Sequence, residues 1–225
     1  MNLKKFSTFI NESLTPDMNL EVFKAALFSK RIRLLDDNNS PLETSYDIDP
    51  KTGGLRITGN LEILDTENHE LDFDLLTLTD DLKITRTEIN STKGFPKQAG
   101  NVILKYPVFS EMGGELEKCA SLSISECSIR TLKGFPKEIV YDLEINGGLL
   151  KNLDNGPHFI GGSVKITNNP ALKWDDIRAF EAMHTFIKKI YKKESGAYPK
   201  DLMKDPEKYY WTIMTENPDW GKFLG

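Results

Sequence analysis

Residues 121–136 read Ser-Leu-Ser-Ile-Ser-Glu-Cys-Ser-Ile-Arg-Thr-Leu-Lys-Gly-Phe-Pro, and their opening string, a small polar residue before an apolar–x–apolar pair, recurs along the chain. It appears as Asn60-Leu61-Glu62-Ile63, Asp81-Leu82-Lys83-Ile84, Asn101-Val102-Ile103-Leu104, Asp142-Leu143-Glu144-Ile145 and Ser163-Val164-Lys165-Ile166. The first apolar residues stand at 61, 82, 102, 122, 143 and 164, so the period is 20–21 residues. Other columns keep the same register. Seven residues in lie Ile89, Phe109, Ile129, Leu150 and Ala171, with Asn68 the exception; ten residues in lie Leu71, Met112, Leu132, Leu153 and Trp174, with Thr92 the exception. Leu75, Pro96, Leu116, Pro136 and Pro157 form a further column, and Leu78, Ala99, Cys119, Ile139 and Ile160 another. A fixed period of this length marks stacked coils, none of which can bury its own apolar side chains alone.

The physics of one coil follows from its residues. The apolar–x–apolar pair predicts a short strand, because alternate side chains point to opposite faces. Equivalent strands then pair in parallel from coil to coil, at a spacing of about 4.8 Å. Gly94, Gly114 and Gly134 precede the proline column by two residues and predict the reversal, since Gly tolerates positive φ and Pro needs no ladder donor. The predicted fold class is α+β, a six-turn solenoid of short parallel strands over 59–174. A helical and β-hairpin cap over 1–58 and a helical cap over 175–225 complete it.

The stretch from Leu122 to Pro136 resembles a leucine-rich repeat of the short bacterial type. In that family an Asn, Cys or Thr five residues after the first Leu bonds the backbone of the bend. The matching positions are Thr66, Thr87, Pro107, Cys127, Gly148 and Asn169, so Pro107 and Gly148 depart and imply distorted turns. The ending Leu–x–Gly–x–Pro, with the lead-in from Tyr46 to Ile57, is more narrowly similar to repeat proteins of tailed bacteriophages. Met1-Asn-Leu-Lys-Lys-Phe6-Ser-Thr-Phe9-Ile10-Asn11-Glu12 is similar to the opening of proteins from T-even-like phages, where such a segment directs packaging into the head. There the prohead protease cuts after Ile/Leu–x–Glu, which makes Glu12 a candidate processing site. An amphipathic capping helix with Leu3, Phe6 and Ile10 on one face is the structural alternative.

Thr15-Pro16-Asp17 is a helix start, and Leu20, Phe23 and Leu27 at helical spacing predict a capping helix over 16–31. The lead-in reads independently as a hairpin with its turn over 49–54. At the other end Asp175 or Asp176 opens a helix with Ile177, Phe180, His184, Ile187, Ile190 and Tyr191 in a stripe. Asp205-Pro206 opens a third helix carrying Tyr209, Tyr210 and Trp211. Those aromatics with Trp220 suit either a buried cap or an interface anchor.

Composition narrows the function. The chain has 225 residues and a net charge of −5, so no global positive field recruits nucleic acid. The lysines between 188 and 208 are interleaved with acids, as on a solvated face. No apolar run approaches a membrane span, and two cysteines make no disulfide framework, which suits a reduced, intracellular setting. His69, His158 and His184 are scattered, Cys119 and Cys127 sit in structural columns, and the paired glycines lack a phosphate-loop ending. No catalytic residue, metal site or cofactor is expected.

What remains is the outward face of the strand ribbon, with Lys83, Ile103, Glu144 and Lys165 between the apolar positions. Lys105, Arg86, Tyr106 and Glu126 stand at or beyond the strand ends. Mixed charge with an apolar-aromatic spot at Ile103 and Tyr106 suits a protein partner. With the phage resemblance, the expectation is a non-enzymatic protein that binds a host or phage protein in the host cytoplasm, in host takeover or counter-defence. The alternative is an internal or structural protein of the virion head.

Overall fold

The computed structural model of the chain describes residues 16–28, 32–35, 46–64, 71, 73–85 and 89–193, and the backbone alone at Pro16, Leu76 and 186–193. Thr15, the 1–12 peptide with Glu12, Thr66, His69, Arg86, Thr87 and the expected third helix with Tyr209–Trp211 and Trp220 lie outside the described residues.

The described chain is a β-solenoid with a helix toward each end. Helix α1 (Pro16–Phe28) is followed by β1 (Ile32–Leu35), β2 (Tyr46–Ile48), β3 (Leu55–Ile57), β4 (Asn60–Ile63), β5 (Leu75–Leu78) and β6 (Leu82–Ile84). Then come β7 (Gln98–Lys105), β8 (Lys118–Ser125), β9 (Glu138–Ile139), β10 (Leu143–Asn146), β11 (Phe159–Ile160), β12 (Val164–Thr167) and α2 (Trp174–Lys193). Six strands pair in parallel in the order β4-β6-β7-β8-β10-β12. Leu61 aligns with Leu82, Leu82 with Val102, Val102 with Leu122, Leu122 with Leu143, and Leu143 with Val164. Six strands enclose about five coils rather than six, because the chain after β12 enters α2 instead of winding back.

The alternation drives this register. Leu61, Leu82, Val102, Leu122 and Leu143 are fully buried, as are Ile63, Ile124 and Ile145, while the residue between each pair faces outward. A one-residue slip would turn every apolar side chain to solvent, so register and burial enforce each other. Each fully buried Leu or Ile contributes roughly 1.5–3 kcal/mol.

The small polar residue before each strand has a distinct job. The Asp81 amide donates to Asn60 Oδ1 (2.9 Å), the Asn101 amide to Asp81 Oδ1 (2.7 Å) and the Ser163 amide to Asp142 Oδ1 (2.7 Å). Parallel stacking puts equivalent residues one strand spacing apart, within reach of a short side chain.

A second parallel ribbon runs along the coil, and the periodicity does not announce it. Ala99 aligns with Cys119, Cys119 with Ile139, and Ile139 with Ile160. Strands β7 and β8 are long enough to belong to both ribbons. The column at Leu78, Cys119, Ile139 and Ile160 is therefore strand as well as core.

The reversals use left-handed backbone. Gly94, Gly114 and Gly134 have φ of 83°, 89° and 77°, and Asn155 takes the same place in the next coil at φ 57°. Asn enters this region more readily than most side chains. A second left-handed column stands where the outward strands end: Tyr106 (63°), Glu126 (54°), Gly147 (84°) and Asn168 (55°). The first three each donate an amide to the carbonyl of the next coil, at Ser125, Asn146 and Thr167.

The last coil departs from the column pattern. Trp174 is 73% exposed and Ala171 is exposed, not core. Helix α2 begins at Trp174 and there covers the end of the stack with Ile177, Phe180 and His184, so Trp174 is turned outward at its first turn and Ala171 in the turn before it. Thr92, the polar residue in that column, is buried and satisfied. Its hydroxyl accepts from the Gly113 amide (2.7 Å) and donates to Glu115.

At the opposite end β1 pairs antiparallel with β4, an unforeseen strand that closes the ribbon's first edge. Strands β2 and β3 form the expected hairpin, and β3 continues in parallel to β5. Buried Asn19 ties α1 to both: Nδ2 donates to Gly53 O (2.8 Å) and Asp74 O (3.1 Å), and Oδ1 accepts from the Asp74 amide (2.8 Å). Phe23 packs edge-on against Tyr46 and Phe73.

Candidate protein-binding face

The outward ribbon is built from the residue between each apolar pair, and the register brings six of them into one row: Glu62, Lys83, Ile103, Ser123, Glu144 and Lys165. Arg33 of β1 extends the row opposite Glu62. Its charges are arranged in two groups. Glu62 lies between Lys83 (2.8 Å) and Arg33 (3.8 Å), and Lys165 pairs with Glu144 (2.7 Å). The Lys165–Glu144 pair is exposed and contributes little to stability, while Glu62 is largely covered between its two cations. The effect of this arrangement is to gather the charges into pairs at the two ends of the face, with one cation in excess around Glu62, and leave Ile103 and Ser123 uncharged between them.

Beside that centre stand Lys105 and Ser125, then Tyr106 and Glu126 at the bend. Lys105 is exposed and joins no ion pair among the described residues. Tyr106 is 46% exposed, and its left-handed backbone swings it out of the strand line. Ile103 is half-buried, so the apolar-aromatic spot is narrower on the strand side than the sequence implies. On the bend side it is wider. Val108 and Leu149 are both exposed, and they occupy equivalent places two coils apart, with Ser128 between. The period contained that signal, because both residues stand six after the first apolar position. Of the residues singled out in the sequence, Lys83, Ile103, Lys105, Tyr106, Glu126, Glu144 and Lys165 share this side of the coil; Arg86 and Glu12 lie outside the described residues.

Beneath the bend, Cys127 Sγ donates to Gly147 O (3.1 Å), and Asn169 Nδ2 donates to Thr167 O (2.8 Å). Gly148 stands between them in the stack. A Cβ there would lie 2.7 Å from Asn169 Oδ1, so its missing side chain makes room for Asn169, and the departure at 148 is a packing match.

The thiols are placed for structure. Burial pushes Cys119 up to about 12 and raises Cys127 as well, so both stay protonated at neutral pH, when only a thiolate would attack or ligate. His184 is buried with its ring edge-on to Phe180 at 4.5 Å. Among the described residues no group of three or more His, Cys, Asp or Glu side chains could hold a metal ion, and no helix is long and apolar enough to cross a membrane. An open cleft of about 460 Å³ on the reversal side is rimmed by Asp74, Lys93, Lys97, Glu115 and Glu117, and Lys97 and Glu117 stand 4.0 Å apart. No protein-family model, curated protein or solved structure matches the chain.

Proposed function

We propose that this chain is a non-enzymatic protein-binding module whose working surface is the outward ribbon around Ile103, Lys105 and Tyr106. One observation carries the reading: the face has a low-charge centre, flanked by internally paired charges and bordered by the exposed Tyr106, Val108 and Leu149. Interfaces with proteins are depleted of charge at the centre and enriched in aromatic anchors. A phosphate backbone would instead call for unpaired cations along the row.

We read the coil as leucine-rich-repeat type with a 20–21-residue repeat. The bonds from Cys127 and Asn169 to the bend backbone support that reading, as does the recurrence of the columns. The resemblance of the N-terminal segment and of the Leu–x–Gly–x–Pro endings supports a phage-encoded protein acting on a host or phage protein in the infected cell. Quantitative pull-downs from infected-cell lysate test the face, comparing wild type with a Tyr106→Ala, Lys105→Glu double variant. At least one partner should be recovered by wild type and lost by the variant. Equal recovery of every protein by both would remove this face from consideration.

A further inference from the structure

Among the described residues the sheet is closed at one end and open at the other. At the first edge the chain lays β1 against β4. At the last, β12 pairs with β10, and nothing among the described residues lies beyond it. The earlier coils show which groups face that way. Leu61, Leu122 and Leu143 donate their amides to the following coil, as do Tyr106, Glu126 and Gly147, and the carbonyl of Ile63 accepts from Thr85. By the same register Val164 and Asn168 aim their amides outward, and Ile166 presents its carbonyl. Helix α2 packs on β11 at the neighbouring ribbon, and Lys165, Thr167 and Asn168 are exposed.

We propose that the β12 edge is a strand-addition site for an extended segment of a partner protein with the pattern apolar–Asp/Glu–apolar. Backbone pairing would supply the affinity and alternate side chains the selectivity, as at other exposed sheet edges. The acidic preference comes from the row of outward charges. Glu62 has a cation on both sides, whereas Lys165, 65% exposed, has a carboxylate on one side only among the described residues. A carboxylate in the next strand would stand on its open side. The two apolar residues would extend the columns that end at half-buried Val164 and at Ile166. The inference stands apart from the Lys105–Tyr106 reading, since the edge binds through the backbone of β12 and Lys165, and the face is tested at Lys105 and Tyr106.

The probe is the acetylated and amidated peptide Asp-Leu-Glu-Ile-Asn-Gly, the sequence of 142–147, which pairs with β12 on its other side. It is titrated into the full chain while amide shifts and hydrogen exchange are followed. The expected result is saturable shifts and slowed exchange at Val164, Ile166 and Asn168. Lys in place of the peptide's Glu should weaken binding by about fivefold, and Lys165→Glu should reverse that preference. N-methylation of the peptide's central amides should abolish binding while leaving the protein unaltered. Equal binding of the N-methylated peptide, or no shifts up to about 5 mM peptide, would overturn the proposal. So would slow exchange of the three amides in the free chain: if independent of concentration, the chain covers its own edge, and if rising with concentration, a second copy does.

Discussion

Single residues carry much of the turn geometry, and two glycines with the same backbone conformation make the point. Gly114 (φ 89°) has room: the nearest atom to an added Cβ is Gly134 Cα at 3.9 Å. At Gly134 (φ 77°) the Cβ would sit 1.8 Å from the Met112 carbonyl oxygen. Gly114→Ala should therefore cost only left-handed strain, about 1–2 kcal/mol. Gly134→Ala should cost clearly more, because backbone must shift as well; denaturant melts of both variants check this, and equal costs would contradict the geometry. Thr92→Val is a second residue-scale test. It removes the part-buried hydrogen bond that the hydroxyl accepts from the Gly113 amide and should cost about 0.5–1.5 kcal/mol. Cys119 and Cys127 should react slowly with a thiol reagent in the native chain at neutral pH, and both should react fast once it is unfolded. The glycine column was legible in the sequence. That Asn155 belongs to it was not, because a left-handed Asn is spelled like any other loop Asn.

At the scale of elements, the strand ribbon and the hairpin answer different experiments. Leu132 and Leu143 are fully buried, and Leu→Ala at either should cost roughly 2–5 kcal/mol, whereas Ser123→Ala on the outward row should lie near zero. Similar costs at all three would refute the register. In the β2–β3 hairpin, Asp49 accepts from the amides of Thr52 and Lys51 and pairs with Arg56. The Thr52 amide is the largest influence holding its carboxyl below the ordinary value, with the Lys51 amide, the Thr52 hydroxyl and Arg56 adding to it against the opposing effect of burial. A depressed native pKa means that this stabilisation is fully present above the unfolded value of about 3.9 and is lost as pH falls through the native one. An NMR titration should place the Asp49 midpoint below that value, and Asp49→Asn should flatten the acid limb of stability. The hairpin was legible from its alternation and its Asp/Gly turn. Strand β1 was not, because Ile32–Leu35 has no repeat to align it and becomes a strand only by pairing with β4.

At the scale of the whole molecule, the described coils stack in a line, each in contact with its neighbours, so damage should stay local. Leu153→Ala in the last coil should raise hydrogen exchange in β10 and β12 while amides of β4 and β6 stay protected. Uniform loss of protection would show the stack to be one cooperative unit instead.

The period by itself determined the coil, its inward columns and the side of the chain that faces out, because those follow from the spacing of apolar residues against a strand's alternation. Tertiary structure decided what repetition cannot encode. The second ribbon arises from backbone pairing between coils, which asks little of side chains at 98 or 138. Trp174 leaves the core because α2 covers the end of the stack in its place, and Gly148 is accounted for by the Asn169 side chain that fills its space. The ion pairs at the ends of the outward face depend on which charges fall opposite one another, a property of register between coils and not of any one of them.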